Sequence, residues 1–232
     1  MKRVKLAPED PLSTYVEAKL TRHQYNVVKS KDILVFPSYK VIQLAKKDYY
    51  TNKDGITVNE ISAEVKLQEL LNHTVSRLVE SQRQVIESQK NFCNLHLITK
   101  WGFDGSSGHS RYKQRLHSPS EDDASVFITL LVPLRLISGD PEGHHVILWQ
   151  NPRSSSIRFC RPIRFQLKHE TSEIAKKEKE YMDQQIQSLV PSTINLTNLN
   201  IKINHILLFT MMEKYVIQSQ KQHLVRNVPY VV

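Results

Sequence analysis

Cysteine is scarce. The 232 residues hold two, Cys93 and Cys160, far apart in the chain. Two thiols at that spacing supply neither a disulfide framework nor a short-spaced pair for zinc, and a reducing intracellular compartment is the simpler expectation. Long apolar runs are also missing. The stretch 126–137 falls short of the ~20 residues of a membrane span and contains Pro133 and Arg135, so no membrane partner is expected. The basic start, Met1-Lys2-Arg3-Val4-Lys5, has no apolar segment behind it and is not a secretory signal. It fits a short nuclear-import cluster, and the expected location is the nucleus. Six glycines and ten prolines are too few for a linker-dominated chain. There is no phosphate loop of the G-x-x-x-x-G-K type, no G-x-S-x-G elbow, no internal repeat and no sustained heptad. Acidic residues are outnumbered, 23 against 32 basic ones, for a formal charge of +9. That balance favours a polyanionic partner such as nucleic acid, and it is equally the mark of a merely basic surface.

The chain is organised around residues 92–111. Cys93, Leu95, Leu97, Trp101 and Phe103 recur at every second position, with Thr99 between, which predicts a strand with one buried face. Asp104-Gly105-Ser106-Ser107-Gly108 then predicts the end of that strand. Two readings of Asp104 stand side by side. Asp-Gly is a hairpin-turn signal. A carboxylate at a strand end is also a metal ligand in many sites.

Around that strand the order of elements is legible. Helices are predicted over residues 10–29 and 39–49, a small strand at Ile56-Thr57-Val58, and a long helix over 61–89. After the strand and an exposed loop to about residue 124, residues 125–137 are nearly all apolar, as for a strand covered on both faces. Residues 144–149 pair back as a hairpin. Residues 157–168 alternate, but Pro162 demotes them to an edge or bent strand. Arg158, Arg161 and Arg164 make this the most basic strand, either a phosphate-contacting face or a protected edge. Thr171 or Ser172 caps a helix to about residue 190 with Ile174, Tyr181, Ile186 and Leu189 inward. Its Lys176, Lys177, Glu178, Lys179 and Glu180 read as a salt-bridged wet face. A last strand follows with Ile201, Ile203, His205, Leu207 and Phe209.

Three antiparallel strands, a helix and a further strand open a ribonuclease H-like fold. The residues Lys100-Trp101-Gly102-Phe103-Asp104-Gly105-Ser106-Ser107-Gly108-His109-Ser110, with Phe127-Ile128-Thr129-Leu130 and Val132-Pro133-Leu134-Arg135-Leu136, resemble animal transposon-derived proteins. These are related to Chapaev- and Transib-type transposases and to the catalytic subunit of the V(D)J recombinase. Arg161-Pro162-Ile163-Arg164-Phe165 and Leu207-Leu208-Phe209-Thr210-Met211 are similar to the same group, and the likeness spans roughly residues 15–211. It implies an α+β or α/β class: a helical pre-catalytic region over 1–90, an incomplete ribonuclease H-like mixed sheet (β-β-β-α-β) over 91–211, and a tail over 212–232. It implies Asp104 as the first acidic residue of a catalytic Asp-Asp-Glu triad and as a metal ligand. It also implies Mg²⁺ or Mn²⁺ in active relatives, DNA as partner, and a homodimer. His109, Arg111, Lys113, Arg115, Arg158, Arg161 and Arg164 are the candidate nucleic-acid contacts.

The chain departs from that group after Phe209-Thr210-Met211. Relatives would continue through an apolar residue to Asp-Gly-Lys-Val-Cys, whose Asp is the second catalytic carboxylate. This chain reads Met211-Met212-Glu213-Lys214-Tyr215-Val216. Methionine has one codon, so the shifted frame across Met211 and Met212 spells Asp, and across Met212 and Glu213 spells Gly. The tail is therefore expected to be out-of-frame translation. With one of three acids matched, the expected function is a truncated transposase- or recombinase-like fragment, inactive alone and holding no metal stably. The alternatives are a non-enzymatic nucleic-acid-binding module, or an interaction domain with no nucleic-acid role.

Overall fold

Two helices stand where the spacing predicted one. In the computed structural model, which describes residues 5–88, 92–107, 125–139, 141, 143–196 and 199–210, α1 (Glu9–Glu17) stops before Lys19. That residue takes a left-handed φ of 50°, which no helix continues through. α2 (Arg22–Lys31) then starts afresh on a capping box: Thr21 Oγ1 accepts from Gln24 N at 3.2 Å, and Gln24 Oε1 accepts from Thr21 N at 2.7 Å. α3 (Tyr39–Lys47) is capped by Ser38. Leu12, Tyr25, Ile42 and Ala45 form the core of this helical unit. The Tyr25 hydroxyl donates to the Pro37 carbonyl at 2.8 Å, and burial pushes its pKa up.

The chain divides into two compact units, Met1–Asn52 and the remainder from Lys53. The helical stretch expected over residues 1–90 thus contributes to both. The second unit opens with a hairpin, β1 (Ile56–Val58) and β2 (Ser62–Val65), where the long helix of 61–89 was predicted to begin. Asn59 decides this locally. Its Oδ1 accepts from the amides of Ile61 and Ser62 at 3.0 and 2.7 Å, closing a turn that delivers 62–65 to the sheet. The helix starts only at α4 (Leu67–Ser81) and is followed by the short α5 (Arg83–Ser88).

The remaining elements are β3 (Asn94–Ser107), β4 (Ser125–Gly139), β5 (His145–Gln150), β6 (Arg161–Gln166), α6 (Ser172–Gln187), β7 (Ser192–Leu196) and β8 (Leu199–Phe209). They form one mixed sheet in the order β1-β2-β6-β4-β3-β8-β7, with β5 also paired to β4. Every pairing is antiparallel except β3 with β8. The class is α+β. The hairpin of β4 with β5 forms as predicted. Residues 157–159 do not join the basic strand; they make a 3₁₀ turn, and β6 starts at Arg161. Strand β7 falls partly in a stretch, 195–200, that reads as merely polar.

Both strand prolines sit where the ladder is already broken. Pro133 lies at a bulge of β4 against β3, and Pro162 pairs with Leu130 beside a bulge against β6. One face of the sheet carries Leu95, Leu97, Trp101, Phe103, Phe127, Leu131 and Leu136. It is covered by Leu71, Val75 and Val79 of α4 and Ala175 and Met182 of α6. Each fully buried side chain of this size contributes about 1.5–3 kcal/mol against leaving it exposed.

Candidate functional site

Asp104 lies inside β3, not at its end. Gly105, Ser106 and Ser107 continue the ladder against Phe127, Val126 and Ser125, so Asp-Gly here is not a hairpin corner. Gly105 is required by contact. A Cβ there would come within 2.4 Å of Glu170 Cβ, because the residue leading into α6 lies directly on it. Gly102 is required in the same way on the opposite face. A Cβ would stand 2.6 Å from the Thr210 carbonyl oxygen, because the residue that follows β8 lies against β3 there. Thr210 N donates to Trp101 O at 2.9 Å and holds that approach.

Alternation puts Lys100, Gly102 and Asp104 on one face of β3 and the core residues Trp101 and Phe103 on the other. Asp104 is half-buried; its Oδ1 is shielded from solvent and accepts no hydrogen bond, although the residue is engaged elsewhere. It lines a pocket of about 210 Å³ with Lys100, Leu130, Val132, Cys160 and Thr210. The pocket therefore brings Asp104 together with the last described residue after β8. Among the described residues no group of three His, Cys, Asp or Glu converges, and Asp104 is the one carboxylate lining this pocket. Mg²⁺ and Mn²⁺ are held by several oxygen ligands, and a two-ion site needs carboxylates from more than one residue. The described donor set does not fit such a site.

The three arginines of the basic strand part company. Arg158 is exposed in the 3₁₀ turn Ile157–Phe159. Arg161 opens β6 and is half-buried. Arg164 is committed internally. Its Nη1 donates to Glu178 Oε2 at 3.1 Å, its Nε lies 3.4 Å from Glu64 Oε2, and its Cζ sits 4.6 Å over the Tyr181 ring. Arg164 is opposite Thr129, which is opposite Phe103, so it points to the helix-covered face and away from Asp104. His109, Arg111, Lys113 and Arg115 lie outside the described residues, as does the tail 212–232.

Two polar clusters escaped the sequence reading. Glu178 is 3% exposed, although its Lys-rich neighbourhood reads as a wet face. It accepts from Thr129 Oγ1 at 2.6 Å, Gln166 Nε2 at 2.9 Å and Arg164. Glu64 extends the network by accepting from the Tyr181 hydroxyl. Burial, then that hydrogen bond to Glu64, pushes Tyr181 up to about 12. A usable signal was the stripe Ala175–Glu178–Met182, the i, i+3, i+7 spacing of a buried helix face.

The second cluster joins Ser192 to His205, Nε2 to Oγ, at 2.9 Å. Ser192 donates its only proton to Asn72 Oδ1 at 2.5 Å, so the histidine must donate to the serine. Burial lowers His205 to about 4. A serine whose proton is already committed, beside a histidine acting as donor, is not arranged as a nucleophile–base pair. The pair ties β7 and β8 to α4.

No helix among the described residues is long and apolar enough to cross a membrane. Comparison with protein-family models finds no match to the chain, and comparison with curated proteins finds none either.

Proposed function

We propose that the chain is a piece of a transposase- or recombinase-like catalytic domain with a ribonuclease H-like sheet, that DNA is its partner, and that as it stands it neither cuts nor joins strands. The observation that carries this reading is the pocket shared by Asp104 and Thr210. β3 and β8 are the parallel pair, and β8 ends with Phe209 opposite Trp101, three residues short of Asp104 on β3. The resemblance asks for one catalytic carboxylate on the first of these strands and another just past the second. Asp104 meets the first requirement, and Thr210 marks the edge at which the second would enter. The order β6-β4-β3-β8, with α6 between β6 and β8 in the chain, supports the same reading. Inactivity follows from the missing acids: one carboxylate cannot bind both the ion that activates the nucleophile and the ion that stabilises the leaving oxygen. A DNA partner makes the nucleus the working compartment.

The test uses the full chain with supercoiled plasmid in Mg²⁺ or Mn²⁺, and with a short duplex in gel shift over a salt series. The expected result is duplex binding that weakens as salt rises, and no nicking. Metal-dependent nicking that is lost in Asp104→Asn would overturn the inactivity. Absence of duplex binding at low salt would remove DNA as partner and favour an interaction domain.

A further inference from the structure

Strand β7 stands at one end of the sheet and, among the described residues, pairs on one side only, with β8. Lys202 N donates to Cys93 O at 2.8 Å, so Lys202 turns its backbone groups toward β3 and its neighbours Ile201 and Ile203 turn theirs toward β7. Ile201 is opposite Ile194 and Ile203 is opposite Ser192, so these residues of β7 hold the ladder. Thr193 and Asn195 therefore point their N–H and C=O groups out of the sheet's edge. Both residues are exposed, and among the described residues nothing bonds those groups. The strand reads Ser-Thr-Ile-Asn-Leu, with no charge and no proline, and it pairs with β8 without a bulge.

Such an edge is a template for another strand unless something guards it. β1, at the other end of the sheet, has three residues, and β5 is bulged where it pairs with β4. β7 has neither guard. Beside it, against α4, lies a groove of about 460 Å³. Ser192 Oγ bonds Asn72 of α4, so Ser192 and, by alternation, Ile194 turn their side chains to the groove side. Val75, Val190 and Ile194 give the groove apolar walls, Gln68, Asn72 and Ser76 are neutral, and no charged side chain among the described residues lines it. The chain just ahead of β7 already has an amide partner. Gln68 Nε2 donates to Val190 O at 3.1 Å, and Gln68 Oε1 accepts from Val190 N at 2.9 Å. The free edge begins at Thr193.

We propose that β7 pairs antiparallel with β7 of a second copy of this chain, about a two-fold axis at Ile194. The edge is complementary to itself. In this register Thr193 meets Asn195 of the second copy and Asn195 meets its Thr193, so every outward N–H and C=O of the two residues is used. A shift of two residues leaves one of them without a free partner. The two copies of Ile194 lie opposite each other as the close, non-bonded pair on the groove side, beside Val75 and Val190. Charge favours a second copy over another partner. A chain of net charge +9 repels its own copies, yet nothing charged among the described residues faces this groove, so two copies approach here without that cost. A partner recognised by its charge finds nothing here to bind. A five-residue strand covers far less than the roughly 1,200–2,000 Å² of a stable interface, so the association is weak and depends on concentration. The proposal goes beyond the DNA reading and does not rest on it.

The experiment is sedimentation velocity of the full chain from about 1 μM to about 1 mM, the span in which a weak pair assembles. The expected result is a monomer that gives way to a dimer as concentration rises. Amide hydrogen exchange at Thr193 and Asn195 should be fast in the dilute monomer and slowed in the dimer. Asn195→Pro removes an outward N–H and leaves the ladder to β8 intact. Thr193→Lys sets a charge on the edge and serves as the second variant if proline unfolds the hairpin. Each should weaken dimerisation about 10-fold or more, because the two-fold axis repeats every loss. A chain that stays monomeric throughout overturns the pairing. So does a dimer that neither variant weakens, which places the interface elsewhere. Slow exchange at Thr193 and Asn195 in the dilute monomer assigns the edge to a segment of the same chain and also overturns it. No nucleic acid enters the measurement, so its failure leaves the DNA reading untouched.

Discussion

Removing the Glu178 carboxylate is expected to be the most damaging single change in the polar network between α6 and the sheet. The side chain is 3% exposed and accepts three hydrogen bonds from two strands, β4 through Thr129 and β6 through Arg164 and Gln166. In Glu178→Ala the Thr129 hydroxyl can turn to another acceptor. The buried Gln166 amide loses its partner, which costs about 1–3 kcal/mol. Arg164 loses its closer carboxylate but keeps Glu64 at 3.4 Å. Breaking a buried ion pair costs about 3–5 kcal/mol. The surviving Glu64 contact puts the expected loss near the lower end, about 3 kcal/mol. For a domain of this size that corresponds to a fall in Tm of roughly 6–12 °C. Urea unfolding followed by circular dichroism measures it. A double-mutant cycle with Arg164→Ala should return a clear coupling, because the two residues share one contact. A loss under about 1 kcal/mol, the range of a solvated surface pair, would refute the placement of Glu178 beneath the helix and with it the seating of α6 on β4 and β6.

Gly102→Ala drives a methyl against the backbone carbonyl of Thr210, which no side-chain rotation relieves. Thermal unfolding should show a loss of about 1–3 kcal/mol, and an unchanged melt would contradict the close approach of Thr210 to β3. His205, lowered by burial from 6.5 to about 4, binds protons more readily in the unfolded chain between those two values. Its contribution to stability is complete above about pH 6.5 and is lost as pH falls toward 4. Unfolding measured across that window should show a smaller pH slope in His205→Gln than in the wild type. Equal slopes would refute the burial of the ring.

The elements legible in the sequence are those whose patterns are long and local. Strand β3 alternates over most of its length, β4 is apolar on both parities, and α6 follows Thr171, whose Oγ1 accepts from Ile174 N at 3.2 Å. Asp104 was placed on the right strand for this reason. Its neighbourhood was misread because the meaning of Gly105 is set from outside the strand: the glycine admits Glu170, and Asp-Gly signals a turn only when nothing else explains the glycine. Glu178 was misread for a similar reason. Lys-Lys-Glu-Lys-Glu is a surface pattern locally, and the acceptor demand of Thr129, Arg164 and Gln166 comes from β4 and β6. The break between α1 and α2 had a visible signal, the Thr21–Gln24 capping box, which outweighed a loose apolar stripe running through it.

The proposed descent rests on a second carboxylate once following β8, and the nucleotide sequence across Met211 tests it most directly. The Met211, Met212 and Glu213 codons already fix Asp and Gly in the shifted frame, so the information lies in the codons after them. The account expects that frame to continue with Lys, Val and Cys and to stay open into a Cys-x-x-Cys pair near residues 227–231. A shifted frame that lacks these codons or stops promptly would contradict it, and Asp104 would then be a strand residue with no catalytic ancestry.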